Sequence, residues 1–199
     1  MIHHRLIDVA GELSTTLTQA ITQNGPLAIA PKQDTPFAQR LCRAVAGQQL
    51  SVKAASSIWS RVLGQVPVDM AMVDYLADAA PDSLKGCGLS GAKVRTLGEI
   101  AQAAQAGKLN AEALGQLDHT ARTQHLTALW GVGQWTADMM GIFYFGDTDI
   151  WPDGDVTARK TLEKLTSKRR KTTRTAARFE PYRSYLAFHM WQHADATPP

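Results

Sequence analysis

Two short stretches between Leu129 and Arg159 carry residue types that chemistry can use. Gly131-Val132-Gly133 is a tight hairpin set between apolar runs, with Leu126 and Leu129 before it and Trp135, Ala137 and Met140 after it. Two glycines admit positive φ and leave no side chain between the backbone and a partner. N–H groups at the start of the next helix then point outward, and a phosphodiester fits such a site. Asp155 follows Gly133 by 22 residues, directly after the turn Trp151-Pro152-Asp153-Gly154. A carboxylate at the mouth of the helix VTARKTLEKL either caps that helix or stabilises a cation and orients water. The sequence leaves both roles open, and Asp153 is a local rival for either.

Other residues carry weaker signals. Gln48, Gln49 and Leu50 sit between two helical stretches in LCRAVAGQQLSVKAA. Amides at such a junction cap neighbouring backbone groups, or they enter a duplex and replace the contacts of a displaced base. Trp130, Trp135, Phe143, Tyr144, Phe145, Trp151, Phe188 and Trp191 gather around the hairpin and its sequel. Aromatics at helical spacing build core or line a pocket in which a base stacks. His119, His125, His189 and His193 share no metal-type spacing with carboxylates, and His189 and His193 have no third ligand nearby. The chain holds no Ser–His–Asp order, P-loop or dinucleotide fingerprint.

The elements that must hold these residues read as helices. Leu6, Val9, Ala10, Leu13, Leu17 and Ile21 fall at three- and four-residue spacing until Asn24-Gly25-Pro26 stops the pattern. LAIAPKQDTP reads as an extended connector. Helices are expected at 37–46, from the cap Ser51 to about 63, in a short run opened near Asp69, at 81–85, at 93–106, and at 119–130 and 135–145 on either side of the hairpin. Two more follow at 155–165 and 172–193, the last bent or divided by Pro181. Clean strand alternation is absent, so the expected class is all-α.

Composition bounds the rest. With 199 residues, 44% hydrophobic and 20% charged, the chain suits one large domain or two small lobes. No apolar run approaches a membrane span, and MIHHRLIDVAGELS lacks the apolar stretch of a secretory signal. Cys42 and Cys87 stand alone, 45 residues apart, and read as reduced thiols of a cytoplasmic protein. Charge is uneven. Residues 159–183 hold ten Lys and Arg against Glu163 and Glu180, a local net of +8 in a chain whose total is +3, so the remainder carries −5. A basic stretch on an otherwise acidic chain reads as a nucleic-acid footprint or as a solvated helix face with an exposed loop.

These pieces, in this order, resemble the helix-hairpin-helix DNA glycosylase superfamily, and its 3-methyladenine DNA glycosylase II branch in particular. The resemblance runs from Pro36 to Trp191 through FAQRLCRAVAGQQLSVKAA, LKGCGLSGAKVRTLGEIA, LWGVGQWTAD, DIWPDGDVTARK and PYRSYLAFHMW. It implies a two-lobed helical fold with the active site in the cleft between lobes. Within it, residues 1–35 form an N-terminal helix and connector packing on the C-terminal lobe. Residues 36–195 form the glycosylase core, with the hairpin at about 126–140 and the catalytic loop at 149–156. Asp155 matches the catalytic aspartate, and Gly131, Val132 and Gly133 the hairpin that grips the DNA backbone. The resemblance also implies a sodium or potassium ion on the hairpin carbonyls of Leu129 and Gly131, with no cofactor required. Trp135 and Trp191 match aromatics of the base pocket. Met139 and Val156 stand where close relatives can carry aromatics. Gln48, Gln49 and Leu50 match the segment that supplies the wedge into the duplex.

Departures refine this. Bifunctional members carry a lysine two residues after the second hairpin glycine, and here that position is Trp135. Without that amine no Schiff base forms there, so the resemblance implies a monofunctional enzyme. The cysteine cluster of iron–sulfur members is missing. The expectation is therefore a monomeric base-excision glycosylase acting on damaged bases in double-stranded DNA, with no membrane partner. It would release alkylated purines such as 3-methyladenine and 7-methylguanine as free bases. The alternatives are a mismatch uracil or thymine glycosylase of the same superfamily, and a non-catalytic helix-hairpin-helix module that only binds DNA.

Overall fold

The computed structural model describes residues 1–196, and every regular element among them is helical. The elements are α1 (Ile2–Gly11), α2 (Thr15–Asn24), α3 (Phe37–Gly47), α4 (Val52–Leu63), α5 (Met72–Asp78), α6 (Pro81–Gly86), α7 (Gly91–Gln105), α8 (Ala111–Gly115), α9 (His119–Thr127) and α10 (Gln134–Met140), followed by a π-helical turn (Gly141–Phe145), then α11 (Val156–Leu165), α12 (Thr172–Ala176) and, after a 3-10 turn (Ala177–Phe179), α13 (Arg183–Ala196). They group into two compact units. One joins residues 1–31 to the chain from Gly141 onward, and the other is residues 32–140.

The second unit is built on α7, which packs against α3, α5 and α6. Its stripe of Val94, Leu97, Ile100 and Ala101 is buried, as are Phe37, Leu41, Cys42 and Val45 of α3. Both sets follow the three- and four-residue spacing of an amphipathic helix. Caps set the boundaries. Ser51, Ser90, Asn110 and Asp118 each accept the N–H three residues on, which satisfies donors that open a helix.

In the other unit α1, α2, α11 and α13 share one core, where Leu6, Leu17, Ile21, Leu162, Phe179 and Leu186 are at most 2% exposed. Here the continuous stripe from Leu6 to Ile21 proves to be two helices. The chain breaks after Gly11, and Ser14 turns extended (φ −166°) and caps α2 through the Leu17 N–H. Both pieces still face the core, so the periodicity survives a break that it does not reveal.

Other boundaries also differ from expectation. Asp69 lies ahead of α5, which opens at Met72. The helix before the hairpin ends at Thr127, and the one after it passes into the π turn at Gly141. The short α8, capped by Asn110, is an addition. The final stretch divides around Pro181 into α12, the 3-10 turn and α13. No helix among the described residues is long and apolar enough to cross a membrane.

Candidate active site

Asp155 is the N-cap of α11. Its Oδ1 accepts the Ala158 N–H at 2.8 Å and also the Trp191 indole N–H at 3.0 Å. The capping reading of this carboxylate holds: the residue caps the helix, and a second donor from α13 fixes its rotamer. The charge sits at the positive end of α11, where an anion is favoured. Asp155 is half-buried, and Val156 beside it is exposed.

The rival carboxylate has a different task. Asp153 is exposed, and its Oδ1 accepts the Thr172 hydroxyl at 2.8 Å and the Trp151 indole N–H at 3.2 Å. It ties the turn before Asp155 to α12. The loop upstream is bolted to the first turn of α13. Arg183 grips Asp149 with Nε and Nη2 at 2.7 and 2.9 Å and Glu180 at 3.1 Å. The hydrogen bonds that Arg183 donates to Asp149 raise its pKa above the ordinary value. The Ser184 hydroxyl donates to the Asp147 carbonyl and accepts the Ile150 N–H. The sequence does not mark Arg183 and Ser184 as site residues, although PYRSYLAFHMW contains them; nothing in an arginine's type tells that its partner lies 34 positions earlier.

Trp191 is partly exposed. It stacks on Phe143 at 5.7 Å and meets Phe188 edge-on at 5.6 Å. Phe143 belongs to the π turn, a helical irregularity frequent at functional sites. Tyr144, by contrast, is core. The cluster beside Asp155 is thus an aromatic face whose polar handle holds the carboxylate.

The hairpin lies in the other unit. Its two glycines do different work. Gly131 has φ +78°, and a Cβ there would stand 2.0 Å from Thr96 Oγ1, so both conformation and space demand glycine. Gly133 has no positive φ, and its Cβ would meet nothing within 4 Å. Val132 is 5% exposed and anchors the loop. The Val132 N–H closes the turn onto the Leu129 carbonyl, and the helical ladder of α10 begins with Ala137 N–H on the Gly133 carbonyl, both at 3.1 Å. Trp135 and Met139, four residues apart on α10 and so on one face, are both partly exposed.

The junction after α3 is joined to this hairpin. Gln48 donates its amide to Thr136 Oγ1 at 2.9 Å and, at 3.5 Å, to the Gly131 carbonyl. Gln49 is left-handed, with φ 58°, a conformation that costs a non-glycine residue about 1 kcal/mol and clusters at functional sites. Gln49 and Leu50 are exposed, Leu50 at 41%. Lys93, which sequence reasoning passed over, holds the turn: its ammonium donates to the carbonyls of Ala46 and Gln48, each at 2.8 Å. Burial lowers its pKa. Trp130, one of the aromatics that the sequence offers as core or pocket lining, is 41% exposed, with the Arg95 guanidinium 4.2 Å from its ring centroid.

The basic stretch does not form one track. Arg183 belongs to the Asp149 clamp and Arg178 pairs with Glu12, while Arg159, Lys160 and Lys164 are exposed on α11.

Comparison with known proteins identifies the family of the fold. Residues 42–182 match the family described as HhH-GPD superfamily base excision DNA repair protein. DNA-3-methyladenine glycosylase 1 of Schizosaccharomyces pombe is 30% identical over 176 residues, covering 81% of this chain and 75% of that protein. DNA-3-methyladenine glycosylase 2 of Escherichia coli is 28% identical over 75% of this chain, which spans only 55% of that relative. Among solved structures, the DNA-3-methyladenine glycosidase of Bacillus halodurans superposes with a TM-score of 0.80 at 25% identity, covering 96% of this chain and 89% of that one.

Proposed function

The chain belongs to the HhH-GPD superfamily of base excision DNA repair proteins, and from that premise we propose that it is a monofunctional DNA glycosylase for alkylated purines. It hydrolyses the N-glycosidic bond of 3-methyladenine and 7-methylguanine and leaves a free base and an abasic strand. The observation that carries this reading is the Asp155 carboxylate, held at the mouth of α11 by the Trp191 indole N–H.

The chemistry follows from the residues. A base within a duplex is out of reach and must be extruded at a cost of a few kcal/mol, less for a weakened pair. The exposed Gln49 and Leu50 supply the wedge, and Gly133 lets the DNA backbone approach. Stacking on an aromatic face returns roughly 1–3 kcal/mol per base. An N3- or N7-alkylated purine is a cation, drawn to tryptophan faces by about 0.5–2 kcal/mol; Trp191, Trp135 and Met139 are the residues assigned to it. Such a base leaves without protonation, so one carboxylate suffices where ordinary glycosidases use two. Asp155 stabilises the oxocarbenium-like sugar and orients the water. A sodium or potassium ion held by the Leu129 and Gly131 carbonyls would add positive charge toward a DNA phosphate; each oxygen keeps a second lone pair beside the hydrogen bond it accepts.

The amine of a lyase is lacking at Trp135, and Lys93 is committed to two carbonyls. Borohydride trapping is therefore expected to give no covalent protein–DNA adduct, and efficient trapping contradicts the assignment. Cys42 and Cys87 are free and buried, and burial pushes the Cys42 thiol up; a reducing cytoplasm is the compartment that suits them. The deciding test is incubation with methylated DNA and identification of the released bases. Release of 3-methyladenine and 7-methylguanine ahead of hypoxanthine and uracil supports the reading. Uracil opposite guanine as the best substrate replaces it with the mismatch glycosylase, and no release at all leaves a DNA-binding module.

A further inference from the structure

A depression of about 560 Å³ lies beyond the C-terminal end of α11, lined by Arg169, Arg170, Lys171, Arg174 and Arg178 together with Thr175. Arg178 is held by Glu12. Among the described residues no carboxylate pairs with the other four, and all four are exposed. Cations beside a helix C-terminus normally compensate its dipole and cap its carbonyls. Here neutral groups already do the capping. The Ser14 hydroxyl donates to the Leu165 carbonyl at 2.6 Å, and the Thr166 N–H and hydroxyl both donate to the Leu162 carbonyl. Crowding five cations around one hollow costs self-repulsion, and the fold recovers it through one ion pair. Guanidinium groups suit phosphate in particular, which they bind bidentately.

We propose that this hollow is a second binding site for the phosphodiester backbone of a nucleic acid, distinct from the contact that delivers a nucleotide to Asp155. Asp155 caps the N-terminal end of α11, a helix of ten residues and about 15 Å. The hollow's Leu13 adjoins Ser14, which bonds the Leu165 carbonyl at the other end of that helix, while its Lys171 leads through Thr172 back toward Asp153. The proposal rests on the proposed function only for the position of the first contact; its own charge and shape stand apart. Two DNA contacts on one protein would let it hold a second segment while the first is being inspected.

The test uses the full chain saturated with a short unlabelled duplex carrying an abasic analogue. A longer, undamaged, fluorescently labelled duplex is then added, and ternary complexes are followed by anisotropy and sedimentation across a salt series. The saturated protein is expected to bind the labelled duplex. The combined variant Arg169→Ala, Arg170→Ala, Lys171→Ala and Arg174→Ala is expected to lose that binding, with the salt slope falling by about 0.9 per lost phosphate contact. Replacing the three arginines by lysine keeps the charge without the bidentate fork and is expected to retain only part of it. First-duplex binding, base release and thermal midpoint stay unchanged. Absence of a ternary complex overturns the proposal, as does equal ternary binding by the alanine variant. Parallel loss of first-duplex binding and base release also overturns it, since the hollow then belongs to the primary footprint. If the protein releases no alkylated base yet binds the second duplex through these residues, the functional assignment falls and this site stands.

Discussion

Asp155 is a structural cap and the proposed reacting group, and the two tasks separate by mutation. Asp155→Asn keeps a favoured capping residue and removes the charge. Thermal stability should change little, while single-turnover excision falls about a hundredfold or more and DNA binding persists. Near-normal excision would remove Asp155 from the chemistry. The hairpin glycines separate in the same manner. Gly131→Ala places a Cβ against the Thr96 hydroxyl in a left-handed backbone and should cost roughly 2–4 kcal/mol in denaturant unfolding. Gly133→Ala meets open space, so stability should hold while affinity for DNA drops. Equal destabilisation by both would mean that the second glycine serves the turn and not a partner. The sequence made Asp155 and the hairpin visible, because spacing and turn chemistry are local. It left the Trp191–Asp155 hydrogen bond unseen, because that contact joins positions 36 apart and depends on where α13 lies.

Elements decide how the turn at 48–50, the proposed wedge, is presented. The last carbonyls of α3 are taken by the Lys93 ammonium from α7, and charged hydrogen bonds of this kind are worth about 1.5–3 kcal/mol each. Lys93→Met should let the turn at 48–50 relax. Excision of a paired lesion is then expected to fall roughly tenfold or more, while excision of the same lesion in unpaired DNA is preserved, with Lys93→Arg restoring part of the difference. Equal loss on both substrates would make Lys93 a folding residue only. Periodicity and caps made most helices legible: Ser51 and Phe37 open α4 and α3 where expected. The failures share a cause. The break at Gly11–Ser14, the early end of α9 and the π turn all leave the apolar stripe intact, so pattern alone cannot register them. Lys93 was overlooked because a lysine on an amphipathic helix reads as solvated until its two carbonyl acceptors are located.

Stability of the molecule as a whole should depend on pH through His189. The ring is 1% exposed, with Nδ1 at 3.2 Å from the Asn24 amide and His3 stacked at 5.7 Å. Burial, and then the charge of His3, lower its pKa to about 4. The unfolded chain binds that proton from about pH 6.5 downward, so the contribution is complete above 6.5 and is lost as pH falls toward 4, about 3 kcal/mol in all. Urea unfolding from pH 7 to 4 should show this loss, and His189→Gln should flatten it; an unchanged slope would assign the acid sensitivity to other groups. The same core has a further consequence. Its first two helices and its last three are separated by residues 32–140, which build a unit of their own. During synthesis at about 5–20 residues per second, α1 and α2 leave the ribosome with their apolar faces bare. They wait roughly 7–26 s for α11 and longer for α13, while the intervening unit, contiguous in sequence, can fold first. In a living cell these two helices are made well before the partners that shelter them, and in that interval they are open to chaperones, proteases and neighbouring nascent chains.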